Sequence, residues 1–288
     1  MAVDYQALKN GGFMRQRQKD HFSLRLKVVG GNLTTERLRV ISQAADKFGV
    51  GRVHLTSRQG VEIPFVKLAD VGEIKSFLAQ GGVETGVCGA RARTVTACQG
   101  SEVCPSGCVD TLALAQEFSQ RYFGRELPHK FKLGVTGCQN NCLKAEENDL
   151  GVKGGYLVAW RVDDCSLCGV CAKACRRGAI KVTEETVHFA AGQCNHCGRC
   201  VKSCPTGAWS GRSGYLVSFG GTFGNNIAPG QVLTPLLTEL AAVLAAADAA
   251  LDFFATHGQP KERFRGTIER VGWETLSRLV GERLGSSH

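Results

Sequence analysis

The first fifty residues show the polar and apolar spacing of a strand followed by a helix. Residues 21–29, HFSLRLKVV, alternate polar and apolar side chains, which predicts a half-buried strand. Thr34 or Thr35 is positioned to cap a helix that is predicted to run to about Phe48, where Gly49 stops it. The apolar positions that recur at helical spacing are Leu38, Ile41, Ala45 and Phe48.

Two further strands and a second helix are predicted before residue 83. RVHLTS and VEIPFV are separated by a polar RQG turn, and ADVGEIKSFLAQ has a helical pattern that ends at two glycines. The resulting order β-α-β-β-α predicts the start of a ferredoxin-like α+β sandwich. That name describes a fold and says nothing about clusters.

The remaining pattern predicts a helix, two strands and a helical tail. Asp110 is the predicted cap of the helix TLALAQEFSQRYF, while HKFKLGV and NDLGVKGGYLVAW predict strands. GYLVSFGGTFGNN repeats the pattern of GGYLVAW, so the cysteine-rich segment between them is predicted to lie inside a β-hairpin. Within that segment AIKVTEETVHF predicts a smaller hairpin. The tail contains LLTELAAVLAAADAALDFFATHG and GTIERVGWETLSRLVGERL, both amphipathic.

Eight of the fourteen cysteines form two copies of the pattern C-x2-C-x2-C-x3-C. This repeat is typical of two-cluster bacterial ferredoxins, in which each run gives three ligands to one cubane and its fourth to the other. One predicted ligand set is Cys165, Cys168, Cys171 and Cys204, and the other is Cys194, Cys197, Cys200 and Cys175. Zinc binding by C-x2-C pairs is the weaker alternative, because zinc does not require two runs that each carry a fourth cysteine.

Four more cysteines lie in two short pairs between Thr96 and Cys142. They are Cys98 and Cys104, in C-x5-C spacing, and Cys138 and Cys142, in C-x3-C spacing. Lys130 and Lys132 lie just upstream of the second pair. This arrangement predicts a cubane cluster beside a site for an anion, with ordinary solvated lysines as the alternative for each lysine taken singly.

Composition favours a cytoplasmic protein with bound anionic cofactors. The chain has 288 residues, 43% of them hydrophobic, and its N-terminal stretch lacks the apolar core of a signal peptide. Asp248 and Asp252 interrupt the most apolar run, so we expect no membrane span. The formal charge of +9 does not favour nucleic acid, because no binding motif accompanies it. Bound anionic cofactors, such as clusters held by thiolates, would balance that charge.

Five motifs extend the pattern beyond the cysteines. GGFMRQRQKDHFSLRLKVVGGNLT, HLTSRQGVEIPFV, ARTVTAC, LPHKFK and GCQNNC occur in this order. With them the chain resembles the sirohaem-containing nitrite and sulfite reductases, and within these a dissimilatory-type or anaerobic sulfite reductase catalytic subunit with an inserted two-cluster ferredoxin domain. The resemblance implies an α+β fold with a ferredoxin-like half-domain (1–82), a sirohaem and [4Fe–4S] domain (83–160 and 210–288) and an inserted ferredoxin (161–209).

The resemblance also implies roles for individual residues. Cys98, Cys104, Cys138 and Cys142 would hold the cluster, with the Cys142 thiolate shared with the sirohaem iron. Arg58 would pair with sirohaem carboxylates, and Asn140 and Asn141 would border the cofactor. The residues expected to hold sulfite are Arg25, Arg93, Lys130 and Lys132. His54 departs from the arginine of some relatives, and Cys88 and Cys108 are expected to be buried thiols rather than ligands.

These roles together predict the six-electron reduction of sulfite to sulfide, with electrons arriving through the ferredoxin clusters. Ammonia-forming nitrite reduction shares the cofactors and is one alternative; a non-catalytic electron-transfer protein is the other. The G-x-G-x-x-G pattern of nucleotide-binding folds is missing, so we expect reduced ferredoxin or partner subunits as the electron donor. We also expect a homo- or hetero-oligomer. The sequence leaves open whether one copy of this half makes a whole active site.

Overall fold

The computed structural model describes residues 3–285, which begin with an antiparallel sheet covered by helices. The first elements are α1 (Tyr5–Asn10), β1 (Phe13–Arg15), β2 (His21–Arg25), α2 (Thr35–Phe48), β3 (His54–Leu55), β4 (Val61–Lys67) and α3 (Val71–Gln80). The strands pair in the order β1-β2-β4-β3, and the apolar faces of α2 and α3 share one core with them. The predicted β-α-β-β-α order is therefore present. The sequence pattern did not predict α1 and β1, which precede it.

Helix α2 shows how local sequence sets these boundaries. The hydroxyl oxygen of Thr34 accepts a hydrogen bond from the amide of Arg37, which satisfies one free donor of the first turn. Gly49 ends the helix. Of the apolar positions at helical spacing, Ile41, Ala45 and Phe48 are buried together with Ala44, whereas Leu38 is 53% exposed.

The second unit is a mixed sheet of five strands with helices around it. Its elements, with those of the insert, are β5 (Thr96–Ala97), α4 (Gly100–Val103), α5 (Thr111–Tyr122), β6 (Leu133–Thr136), β7 (Leu150–Trp160), α6 (Val170–Ala174), β8 (Ile180–Val182), β9 (Val187–Phe189), α7 (Arg199–Ser203), β10 (Trp209–Phe219), β11 (Gln231–Val232), α8 (Leu240–His257), α9 (Phe264–Val271) and α10 (Trp273–Gly285). The order is β11-β10-β7-β6-β5, with β5, β6 and β7 parallel and β10 antiparallel to β7.

The cysteine-rich segment leaves and rejoins the sheet through one long hairpin. Strands β7 and β10 pair along their whole length, from Trp160 opposite Trp209 to Leu150 opposite Phe219. The segment between them carries α6, α7 and the β8–β9 hairpin around a small core of its own. The domain boundaries given above stay a prediction.

Helix α8 is apolar because it lies in the core. Among the described residues it is long and apolar enough to cross a membrane, with a mean hydropathy of 1.4. Its side chains from Val243 to Phe254 are largely buried against the sheet and the neighbouring helices. Asp248 accepts hydrogen bonds from Arg121 and from the Tyr122 hydroxyl. A core helix can be as long and as apolar as a membrane-spanning helix. These contacts are those of a core helix.

The predicted strand HKFKLGV begins later than its alternation suggests. Strand β6 starts at Leu133, and Phe131 before it forms a single bridge to Ala92. Phe131 is nevertheless fully buried, packed edge-on against Phe264 at a centroid distance of 5.0 Å. Because side chains alternate in extended backbone, Lys130 and Lys132 point to the side opposite Phe131.

Replacing Phe264 tests whether the tail helices hold this segment. Phe264→Ala removes a fully buried ring that contacts Phe131, Phe253 and Phe254, and we expect it to lower the free energy of unfolding by about 3–5 kcal/mol. Urea denaturation followed by circular dichroism measures the change. Phe223→Ala, at a ring that is 50% exposed, is the control and should cost far less. Equal effects of the two variants would contradict this packing.

Candidate active site

Four cysteines from both cysteine pairs line one cavity of about 400 Å³. Cys98 follows β5 and Cys104 ends α4, while Cys138 and Cys142 follow β6. Parallel strands β5 and β6 end at the same edge of the sheet, which brings the two pairs together. The structure thus places these thiols around one space. Their assignment as cluster ligands stays a prediction.

The turn after β6 carries Cys138 and Cys142 and is fixed by Asn141. Asn141 has a positive φ of 51°, and its side-chain oxygen accepts a hydrogen bond from the Ala145 amide at 2.8 Å. This local bond is of the kind that stabilises asparagine in left-handed backbone. Cys142 is exposed, whereas Cys98, Cys104 and Cys138 are partly buried. An exposed Cys142 is compatible with the predicted sharing of its thiolate. Asn140 and Asn141 also line the cavity.

A second cavity, of about 220 Å³, gathers the basic residues. The predicted anion-binding side chains all line it, together with Arg58: Arg25, Arg93, Lys130 and Lys132. The Thr56–Gly60 turn contributes Arg58 to this cavity and Gln59 to the cysteine cavity. The amide of Gln59 is fixed by two hydrogen bonds of 2.9 Å to the backbone of Ala97. The two spaces therefore share one wall.

Arg25 and Arg93 are both held by the segment around Cys88. Arg25 donates to Glu62 at 2.6 Å and to the Cys88 sulfur at 3.2 Å. Burial lowers the pKa of Arg25, but the bonds to Glu62 and Cys88 outweigh it and raise that pKa overall. Arg93 donates to the carbonyl oxygens of Val87 and Gly89, both at 2.9 Å. Cys88 is thus buried, as expected, and it contacts a basic residue of the cavity, which the sequence did not indicate.

Arg58 is turned inward and bonded to protein acceptors. Its guanidinium donates to the Asn148 side chain at 2.8 Å and to the carbonyl oxygens of Thr94 and Leu133. Burial lowers the pKa of Arg58 to about 10, an effect that Asp149 opposes. These contacts fix the side chain at the cavity wall. Pairing with sirohaem carboxylates stays a prediction for Arg58.

The lysines share a site where positive charge is already dense. Burial, followed by Arg58 and Arg263, lowers the pKa of Lys132 to about 8, while Asp149 opposes the change and Lys130 adds to it. Burial and Arg263 likewise lower the pKa of Lys130. Crowded cations of this kind favour an anion between them, because it relieves their repulsion.

Two residues of this site were missed by sequence reasoning. Asp149 is fully buried, and it accepts bonds from Arg263 at 2.9 and 3.0 Å and from the Lys132 amide at 2.8 Å. Arg263 lies just before α9, more than a hundred residues away in sequence. No motif marks either residue. The sequence offers one weak signal for Asp149, which is an acidic residue directly before the apolar strand β7.

The cysteines of the insert surround two small cavities. One is lined by Cys165, Cys168, Cys171 and Cys204, and the other by Cys175, Cys194, Cys197 and Cys200. The grouping matches the crossed pairing that the repeat predicts. Among residues 3–285, no three His, Cys, Asp or Glu side chains are arranged to hold a single metal ion. The cluster ligands of the insert stay a prediction.

The remaining singled-out residues lie around these sites. Cys108 is buried; burial, followed by the neighbouring thiol Cys138, raises its pKa to about 11. His129 lies beside Lys130, and burial lowers its pKa, as does the lysine charge. His54 is exposed on the edge strand β3.

The donor set fits a cluster and an anionic tetrapyrrole. Four thiols face one cavity, which is the chemistry that a cubane requires. Within the part of the chain that the structure describes, the buried Nε atoms of Arg93 and Arg263 have no hydrogen-bond partner. A buried guanidinium donor left unpaired is costly, so an external acceptor is expected beside it. Carboxylates of a tetrapyrrole or oxygens of a bound anion would provide one.

Comparison with known proteins identifies the class. The family model described as nitrite and sulphite reductase 4Fe-4S domain matches residues 88–287, and the nitrite/sulfite reductase ferredoxin-like half domain matches residues 14–81. The first model covers more than half of the chain. This chain therefore belongs to the nitrite and sulfite reductase family, whose members are oxidoreductases. Membership implies a [4Fe–4S] cluster and sirohaem.

Some relatives of this chain are named as sulfite reductases and others as nitrite reductases. A coenzyme F420-dependent sulfite reductase of Methanocaldococcus jannaschii is 31% identical over 94% of this chain and 44% of its own length. A subunit of the anaerobic sulfite reductase of Salmonella typhimurium is 28% identical over 62% of this chain and 58% of its own length. The large subunit of the NADH nitrite reductase of Escherichia coli is 34% identical over half of this chain and 17% of its own length. The chain thus spans about half the length of the first two.

A solved structure supports the fold. The crystal structure of a dissimilatory sulfite reductase superimposes with a TM-score of 0.74 at 20% sequence identity, covering 91% of this chain and 69% of that one. The α+β prediction is confirmed by this likeness and by the two family models.

The pKa of Lys132 predicts how anion binding depends on pH. Below a pH of about 8 its ammonium is charged, and above it the amine is neutral, so the affinity of the cavity for a small oxyanion should fall as pH rises. Between about pH 7 and about pH 9 we expect a loss of roughly tenfold, which corresponds to about 1.4 kcal/mol. Binding is measured by optical titration of the reconstituted protein.

An oxyanion such as sulfite itself loses a proton near neutral pH, which also changes its binding with pH. A matched variant separates this effect from the titration of Lys132. Lys132→Arg keeps its charge throughout this range and should retain affinity at the higher pH. If it loses affinity in parallel with the unaltered protein, Lys132 is not the titrating group.

Proposed function

We propose that this chain is the catalytic part of a sirohaem- and iron–sulfur-dependent sulfite reductase, which reduces sulfite to sulfide with six electrons. One observation carries the proposal: a cavity lined by Arg25, Arg58, Arg93, Lys130 and Lys132 shares a wall with a cavity lined by four cysteines. The first suits a small oxyanion, and the second suits the cluster that delivers electrons to it.

The basic residues have two tasks in this reaction. Arg25 and Arg93 keep their charge at any physiological pH and would hold the sulfite oxygens. Lys132, with a pKa lowered to about 8, is a proton donor matched to neutral pH, and each departing oxygen needs protons to leave as water. Sirohaem, held through Cys142, would supply low-potential electrons at an iron site. The lysines would act on the oxygens, on the side away from Phe131.

The inserted segment is proposed to supply electrons one at a time. Its two cysteine sets would each hold a [4Fe–4S] cluster, bringing the proposed total to three. Since no nucleotide-binding fingerprint occurs in the sequence, the donor would be reduced ferredoxin or a partner subunit. The relative from Salmonella typhimurium is named as a subunit, which supports an oligomeric assembly. We propose the cytoplasm as its location.

Nitrite reduction to ammonia is the second candidate. It is favoured by the match to the nitrite reductase of Escherichia coli, which covers half of this chain. The two lysines and two arginines predicted to hold the anion lean toward sulfite, because sulfite carries more negative charge and loses three oxygens. A non-catalytic electron carrier would have no use for this basic cavity.

Anaerobic purification and product analysis decide between these functions. We expect about 13 iron atoms per chain, from three cubanes and one sirohaem, and sulfide as the product with reduced viologen as donor. Ammonia from nitrite, without sulfide from sulfite, would move the assignment to nitrite reduction. A preparation that holds cubanes but binds no sirohaem would favour the electron carrier.

The lysines are tested separately from cofactor loading. Lys130→Ala and Lys132→Ala should keep the sirohaem spectrum and lower kcat/KM for sulfite by roughly a hundredfold each, as expected for lost proton donors and anion contacts. Lys181→Ala, at an exposed position of β8, is the matched control. Full activity in both cavity variants would show that sulfite binds elsewhere.

A further inference from the structure

A single strand separates the inserted unit from the four-cysteine cavity. Strand β7 runs past the end of β6, and its residues Gly154 and Gly155 lie where two cysteine-bearing turns approach from opposite sides. Neighbouring residues of a strand face opposite sides, so each glycine meets a different turn. Both are buried.

Gly154 faces the turn that carries Cys138. A methyl group added there would lie 2.3 Å from the Gly137 carbonyl oxygen and 2.7 Å from Val109. The carbonyl oxygen of Gly154 accepts a hydrogen bond of 3.0 Å from the side chain of Gln139, the residue after Cys138. Backbone therefore packs on backbone at this side of the strand.

Gly155 faces the turn that carries Cys194 and Cys197. A methyl group added there would lie 3.0 Å from the His196 Cβ and 3.1 Å from its carbonyl oxygen. The amide of Tyr156 donates to that same oxygen at 2.8 Å, and the His196 amide lies 3.3 Å from the Cys194 sulfur, to which it donates. The turn is thus hydrogen-bonded directly to β7.

Other contacts place the same cysteine set nearest the catalytic side. Lys202, on α7, donates to the carbonyl oxygen of Pro105, the residue after Cys104, at 2.9 Å. Helix α7 also contains Cys200, so this contact joins the turn of Cys104 to the set with Cys175, Cys194 and Cys197.

We propose that Gly154 and Gly155 form the thin partition through which electrons pass from the insert to the catalytic cluster. This rests on the proposed function. Cys175, Cys194, Cys197 and Cys200 would hold the cluster that gives up one electron, and Cys98, Cys104, Cys138 and Cys142 would hold the cluster that accepts it; no bond would be made or broken. A one-electron donor of the ferredoxin class would supply that electron through the set with Cys165.

The glycines matter because electron transfer slows steeply with distance. Any side chain at either position pushes the two turns apart. One continuous connection runs along the backbone from Cys197 through His196 and Tyr156 to Gly154, and then through Gln139 to Cys138, with hydrogen bonds at both crossings.

Gly155→Val tests the partition. We expect full iron content, several-fold slower reduction of the sirohaem-coupled centre by reduced ferredoxin in stopped-flow absorption, and a weaker magnetic interaction between reduced clusters in electron paramagnetic resonance. Gly192→Ala is the matched control, since Gly192 is exposed in the same unit and nothing lies within 4 Å of an added methyl group. The control should behave like the unaltered protein.

A milder variant covers the case in which valine disturbs folding. Gly155→Ala requires His196 to shift by only a few tenths of an ångström, and it should show the same changes to a smaller degree. Unchanged reduction rate and magnetic interaction in a loaded Gly155 variant would overturn the inference while leaving sulfite reduction intact. Lack of sirohaem or of sulfide in the unaltered protein would instead overturn the proposed function, and the magnetic interaction between clusters would still test the partition.

Discussion

A fully buried carboxylate, Asp149, organises the basic cavity. It accepts hydrogen bonds from Arg263 and from the backbone of Lys132, and its own carbonyl oxygen accepts one from the Gly220 amide. Burial raises the pKa of Asp149, and Arg263 opposes that rise. A charge in this position is tolerated only when it is paired on several sides. The start of β6, the end of β10 and the start of α9 are therefore fixed together at one point.

The neighbouring residue extends the same support to the other wall. Asn148 accepts from Arg58 and donates back to the carbonyl oxygens of Lys144 and Ala145, so it links the arginine to the turn after Cys142. Asn148 and Asp149 are consecutive in the chain. Together they fix Arg58 and the Lys132 backbone at the basic cavity, and Asn148 also fixes the backbone that follows Cys142. Coupling of this kind keeps the basic groups at a fixed distance from the thiols, which is what preorganised catalysis requires.

What could be predicted from the sequence depended on how local each signal is. The cysteine runs are local, so the crossed grouping around two cavities could be derived from spacing alone. Lys130 and Lys132 share a side because they flank Phe131, although β6 itself starts only at Leu133. Arg263 could not be found this way, because its role depends on a tertiary contact with Asp149 across more than a hundred residues. Cys88 was correctly expected to be buried, but its contact with Arg25 has no sequence signal.

The electrostatics of the polypeptide alone indicate what is bound to it. Several cations line the basic cavity, and burial lowers the pKa of Arg58, Arg93, Lys130 and Lys132. Glu62, which also lines the cavity, is bonded to Arg25, and Asp149 is bonded to Arg263. The cations of the cavity outnumber these two carboxylates. Without an anion these charges repel one another at a cost in stability. Part of the positive charge of the chain thus lies where function would use it, because a bound polycarboxylate cofactor and an oxyanion substrate would relieve the repulsion within the unliganded cavity.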